Sequence, residues 1–372
     1  MTMQTLRRNS YSLVSLARFG PTDAQRPAVI AMVYRLWLIA FALKMTGSTW
    51  DMSWHFRWLR DTAAPPHVLN TIGTATAVAL VLFQARHSVG VDAWAKRLMV
   101  VGTGIFLIAI PIDIINHEIN GLDITAWSPS HALLYLGTAL MLLGVFRGYW
   151  LSTAPGRART VCSAVLWGFF LENVLFAAQQ MEYGVLSLKA WQNGTPTAEP
   201  DLLKFAADQI GRPIDELAVK HFALPVDAWV YPFWIVGAGL LTLVAARLFV
   251  GARWTATAIA GGYLAYRMFA WALLTGTGFP PSIPPFLMLG GAIAIDLTFL
   301  ALANGYMRAI IGTVLATCAT AAALTVQRFV VGSPPIDWLA FVWGGIFLTI
   351  AWAGLTAASR TPAVEPAAEP VS

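Results

Sequence analysis

Charge is scarce in this chain. Lys, Arg, Asp and Glu make up 12% of its 372 residues, about half the usual share in a soluble protein. Cysteine is scarcer still: Cys162 and Cys318 are the only two, each inside an apolar stretch. That excludes a disulfide framework and a cysteine-rich metal site, and both read as small apolar packing residues. The patterns G-x-x-x-x-G-K-[ST], H-E-x-x-H and C-x-x-C are absent. A phosphate-cradling loop, a zincin helix and a dithiol redox motif are therefore excluded.

Apolar residues fill the space. They reach 57%, with 16 Trp and a mean hydropathy of +0.63. A bilayer core of about 30 Å is crossed by about 20 apolar residues in a helix, and ten such runs can be placed, at about 29–49, 66–86, 96–116, 129–148, 159–180, 227–248, 254–275, 284–304, 306–328 and 337–358. The expected fold is all-α, a polytopic transmembrane bundle of about ten spans built from helical hairpins. Basic residues mark one side: Arg7, Arg8, Arg18 and Arg26, then Arg86, Lys96 and Arg97, then Arg147, Arg157 and Arg159, then Arg247 and Arg253, Arg308 and Arg360. The opposite short loops 118–128 and 276–283 contain no Lys or Arg. The positive-inside rule then puts both termini in the cytoplasm, in the inner membrane of a bacterium. The net charge of +5 follows from these loops, so the lipid bilayer and not nucleic acid is the expected partner.

Four regions follow. Residues 1–28 form a cytoplasmic segment, and 29–148 hold four spans. Residues 149–358 hold six more, with one long outer loop at 184–226 containing a short amphipathic helix around LLKFAADQI. Residues 359–372, built from Pro, Ala, Glu and Val with little else, read as a disordered cytoplasmic tail.

Within 29–148 the chain repeats itself. Asp51 aligns with Asp113, His55 with His117 and Asp61 with Asp123. His67 aligns with His131 once two residues are inserted, and the helices that follow share H-x-L-x-x-x-G-T-A. Positions i and i+4 share a helix face, so Asp51 and His55 point the same way at the end of the first span. Pro65 and Pro66 suit the start of the next helix, which puts His67 on its first turn, facing back. Each hairpin thus gathers one carboxylate and two imidazoles. A lone D-x-x-x-H at a helix end is ordinary capping chemistry. Four of the six histidines of the chain at matched positions in two copies favour metal binding, by Asp51, His55 and His67 and by Asp113, His117 and His131. Two His and one carboxylate suit iron, copper or zinc and leave positions open.

Several residues are expected to support these triads. Asp61 and Asp123 are placed to accept from a metal-bound imidazole, or else serve as turn residues. Arg60 is placed to pair with Asp61 or balance the charge. Lys44, seven residues before Asp51, is expected to neutralise a carboxylate or snorkel outward. Deeper polar residues include Glu172, a candidate further ligand or proton relay, and Arg267 and Asp296, expected to form a buried ion pair between neighbouring helices. Trp50, Trp54, Trp58 and Trp127 read as a pocket wall or as an interfacial aromatic belt.

The run Asp51, His55, Arg60, Asp61, Thr62, Pro65 and His67 resembles the C subunit of the copper-dependent membrane monooxygenases, which include the particulate methane and ammonia monooxygenases. That family has a second site, an Asn or similar residue with a His four later and another some fourteen beyond; Asp113, His117 and His131 fit it. The resemblance covers about residues 29–147. The second triad opens with Asp instead of Asn, and nothing in 148–372 resembles the companion subunits, so a distant single-chain relative is expected. It implies copper first, with iron or zinc as alternatives, and oxidation of a small hydrophobic molecule by dioxygen. Electrons must come from an external donor, because no flavin, haem or iron–sulfur motif is visible. A homo-oligomer or partner subunits would fit such an enzyme. Two other functions use the same residues: a membrane transporter or metal-handling protein, and a structural subunit braced by zinc.

Overall fold

The computed structural model describes residues 14–59, 64–120 and 125–359, apart from the side chains of His117 and Asn120. Arg60, Asp61 and Asp123 therefore lie outside the described residues, as do most of the N-terminal segment and the C-terminal tail. The described chain is helical, with no strand among the described residues.

The first four long helices are α1 (Arg26–His55), α2 (Pro65–His87), α3 (Ala93–Asn120) and α4 (Pro129–Ser152). They form two hairpins, α1 with α2 and α3 with α4. Prolines open α1, α2 and α4 within the first turn, where their missing N–H costs nothing. The helix α5 (Arg157–Gln192) has 36 residues and a length of about 54 Å. The short α6 (Pro200–Gln209) and α7 (Glu216–Ala223) follow. Then come α8 (Val230–Val250), with a π-helical turn at Ile235–Leu240, α9 (Thr255–Gly276), α10 (Leu287–Ala301), α11 (Gly305–Val330) and α12 (Trp338–Ala358).

Eight of these helices, α1 to α5, α8, α11 and α12, are long and apolar enough to cross a membrane. Large side chains such as Ile39, Leu82, Ile108, Phe329, Trp343 and Ile350 point outward and are exposed. In water such a surface would associate; against lipid tails it is at home. The chain is a multi-pass membrane protein.

Two of the ten expected spans take other forms. α9 is 22 residues long but less apolar, and α10 has only 15 residues. The stretch F-P-P-S-I-P-P at 279–285 runs without helix before α10 begins, because prolines cannot donate to a helix interior. The outer loop is also shorter than expected. α5 stays helical to Gln192 because Glu182, Tyr183 and Gly184 are buried. Gly184 lies so close to the carbonyl of Ala223 that any side chain there would collide.

The repeat is visible in the packing. A Cβ on Gly73 would stand 2.8 Å from the carbonyl oxygen of Ala40 and 2.9 Å from the amide nitrogen of Lys44. A Cβ on Gly137 would stand 2.7 Å from the carbonyl oxygen of Gly102 and 2.7 Å from the amide nitrogen of Phe106. Gly102 and Phe106 are the repeat equivalents of Ala40 and Lys44 in the register set by Asp51 and Asp113. Both hairpins therefore cross at one matched point, where only glycine lets the backbones meet. The helix α5 stands between this four-helix unit and the remainder, touching α1 and α4 on one side and α8 and α9 on the other. One core, around Trp37, Phe41, Val81, Met99 and Val145, fills the hairpins. A larger one, around Leu171, Leu240, Ile295 and Trp352, fills the second half.

Candidate metal centre

The last turn of α1 and the first turn of α2 bring three side chains together. Oδ1 of Asp51 stands 3.3 Å from Nε2 of His55 and 2.8 Å from Nε2 of His67. The three ligand-type atoms lie within 4.8 Å of one another, the one such group of three or more among the described residues. The expected i, i+4 face and the proline-led entry into α2 produce this contact directly. Oδ1 of Asp51 is buried, and both imidazole nitrogens face it. Atoms sharing one metal ion at bonds of about 2.1 Å stand some 3–3.5 Å apart, and the two distances from Asp51, 3.3 and 2.8 Å, are close to that. The residues present fit a divalent metal.

The second hairpin builds part of the same arrangement. Nε2 of His131 stands 3.7 Å from Oδ1 of Asp113, which also accepts from Ser130 Oγ at 2.8 Å. The stretch S-P-S-H starts α4, and Ser128 caps it by accepting from the His131 amide. Nδ1 of His131 lies 2.9 Å from the Thr125 carbonyl and 3.0 Å from Ser128 Oγ. A carbonyl only accepts, so Nδ1 carries a proton and donates to it, which leaves Nε2 facing Asp113. The Thr125–Trp127 loop is pinned by Gln180 of α5, whose Oε1 accepts from the Ala126 amide at 2.8 Å. The backbone of His117 is in α3, and its side chain lies outside the described residues.

Both sites line one cavity of about 320 Å³ between the hairpins and α5. Its walls include Phe41, Phe106, Leu134, Phe169 and Phe176, and its cover comes from the 193–229 segment through Leu202, Phe205 and Phe222. The Glu199 amide, just before α6, donates to the Arg57 carbonyl at 2.9 Å, which fastens that cover to the end of α1. No family model, curated protein or solved structure matches this chain.

Lys44 is buried against this cavity and does neither of the things expected of it. Its Nζ donates to Thr74 Oγ1 at 2.9 Å and Asn70 Oδ1 at 3.3 Å, and stands 4.1 Å from the centre of the Phe106 ring. Glu172 also lines the cavity; its Oε1 accepts from Thr49 at 2.8 Å and Gln179 at 2.7 Å. The four tryptophans divide. Trp50, Trp54 and Trp58 gather around Phe279, Trp127 packs on Trp234, and of the four only Trp58 lines the cavity.

The expected Arg267–Asp296 ion pair does not form. Arg267 pairs with Glu182 at 2.9 Å, and also donates to Tyr263 and Ser282, both at 3.1 Å. Asp296 pairs with Arg247 at 3.0 Å and accepts from the Thr257 amide at the start of α9. The cause is the proline-rich run before α10. An extended chain advances about 3.3 Å per residue against 1.5 Å in a helix, so it carries Asp296 past Arg267 to the far end of α9. Glu182 escaped the sequence reading because it fell at the edge of a presumed loop. Its signal was there: a carboxylate in an apolar run requires a partner.

Proposed function

We propose that this chain is a metal-dependent membrane oxidoreductase, monooxygenase-like, that oxidises a small hydrophobic molecule with dioxygen. The metal ligands are Asp51, His55 and His67, with a second position at Asp113 and His131, to which the sequence repeat assigns His117 as the third ligand. The observation that carries the reading is the convergence of three ligand atoms on the wall of a largely apolar cavity buried inside a membrane bundle. Copper is the first candidate and iron the second, in keeping with the resemblance of the D-x-x-x-H and P-x-H stretches. A bound ion of either kind supplies dioxygen activation. Insertion of one oxygen atom into a C–H bond, with the other released as water, consumes two electrons from an external donor and two protons.

The residues of the chain define the setting. Asp51 offsets the charge of a divalent ion, and the two imidazoles fix its place at the helix ends. The phenylalanines of the cavity exclude water and take up an apolar substrate that arrives through the bilayer. Glu172, hydrogen-bonded at the same cavity, is placed to pass a proton. The site faces the extracytoplasmic side, and both termini are cytoplasmic, in a bacterial inner membrane.

One observation favours a different class. Glu182 and Arg267 are a fully buried ion pair, with Glu172 buried on the same helix, and such groups inside a membrane often mark ion paths. Oxygen uptake by copper-loaded protein in nanodiscs, with a reductant and short hydrocarbons, separates the two. The oxidoreductase reading expects substrate-dependent uptake that His55→Ala abolishes. Its absence, with ion flux that requires Glu172 and Arg267 but not His55, would establish transport instead.

A further inference from the structure

The internal repeat provides its own control for Lys44. The two hairpins cross at the same glycine point, yet one carries Lys44 where the other carries Phe106. A second pair of equivalents differs in the same sense. Asn70 in the first hairpin corresponds to Leu134 in the second, counted from His67 and His131. All four residues line the cavity. Packing of the hairpin therefore does not demand a lysine or an asparagine, because the second copy makes the same crossing with Phe and Leu.

Burying an amine is costly, and a buried cation usually has an anion beside it. Lys44 is 7% exposed, and its partners are an amide oxygen, a hydroxyl and an aromatic face, all neutral. No carboxylate lies within ion-pair distance of it among the described residues. The cavity thus holds one buried lysine that has no carboxylate partner, beside the apolar side chains of Phe106 and Leu134. Lys44 is seven residues before Asp51, which sets it about 10 Å deeper along α1 than the metal ligands.

We propose that the cavity binds a single-chain amphipathic carboxylate, its head group on Lys44 and Asn70 and its chain along Phe106 and Leu134 toward Asp51, His55 and His67. This deepens the oxidoreductase reading, on which the orientation toward the metal rests, by naming the substrate class. The binding itself does not need the metal.

The test is isothermal titration calorimetry of metal-stripped protein in nanodiscs, corrected against empty nanodiscs, with octanoate and with octanol. Octanoate is expected to bind at least tenfold more tightly than octanol. Lys44→Met, which keeps the length and the packing, is expected to erase that difference, and Asn70→Leu to reduce it. Equal affinity for the two ligands in the wild-type protein would overturn the proposal, as would no binding of either. A preference for octanoate that survives in Lys44→Met would also overturn it. Because the wild-type comparison needs no variant, misfolding of a mutant cannot decide the result. Metal content is measured on a separate, unstripped sample, so a failed metal site and a failed carboxylate site give different records.

Discussion

Asp92, in the turn between the two hairpins, pairs with Arg147 of α4 at 2.6 Å. That hydrogen-bonded guanidinium holds the Asp92 carboxyl below its ordinary value, against a smaller opposing effect of burial. A carboxyl lowered on folding contributes stability above the unfolded value of about 3.9 and loses it as pH falls through the folded value. Both side chains are a third exposed or more, so the pair is worth at most about 1 kcal/mol. Asp92→Asn should therefore lower the apparent Tm slightly at pH 7. The gap to wild type should begin to close as pH falls below about 4 and vanish only below the lowered folded value of Asp92. Thermal scans of the two proteins across that range check it. At this scale much of the site was legible from the sequence. Asp51, His55 and His67 meet because i, i+4 spacing and a proline at a helix start have only one local outcome. Thr125, Ser128 and Ser130 were not singled out, since their role depends on how the loop folds back over His131.

Among the elements, the hairpins depend on close backbone approach. Gly73→Ala or Gly137→Ala places a methyl group 2.8 or 2.7 Å from a carbonyl oxygen of the facing helix. Each should cost about 1–3 kcal/mol and lower the apparent Tm in detergent. Gly104, on the same helix as Gly102, has open space where its Cβ would be. Gly104→Ala should be neutral or stabilising by up to about 1 kcal/mol. If all three behaved alike, the matched crossing would not be what joins the hairpins. The repeat was visible as H-x-L-x-x-x-G-T-A, but the partner of its glycine was not. Ala40 and Gly102 are equivalent in the register of the repeat but differ as residues, and only the contact shows that the glycine of each hairpin meets them. The end of α5 and the start of α10 were misjudged for a related reason. Burial by a distant segment keeps Glu182–Gly184 helical, and four prolines delay α10.

Across the whole molecule, α5 joins the hairpin unit to the second half, and the buried Glu182–Arg267 pair is the polar link between α5 and α9. Removing one partner of such a pair leaves a buried uncompensated charge, at a cost of about 3–5 kcal/mol. Arg267→Met alone should sharply reduce the yield of folded protein. Combining it with Glu182→Gln should recover a large part of the loss, as read by monodispersity and apparent Tm. A double variant no better than the single would show that the pair is not the link. Multi-pass architecture was readable from apolar run lengths alone. Ion-pair partners were not, because they depend on where each helix begins along the membrane normal, and the run F-P-P-S-I-P-P shifts α10 by several residues.

The claim that most of this rests on is a metal ion at Asp51, His55 and His67. The direct test is elemental analysis of protein purified in mild detergent, beside Asp51→Asn and a His55→Ala/His117→Ala double variant that still elutes as folded protein. At least one equivalent of copper or iron in the wild type, reduced in Asp51→Asn and lost from the double variant, is the expected result. No bound metal in the wild type, even after incubation with copper, iron and zinc, would contradict the account.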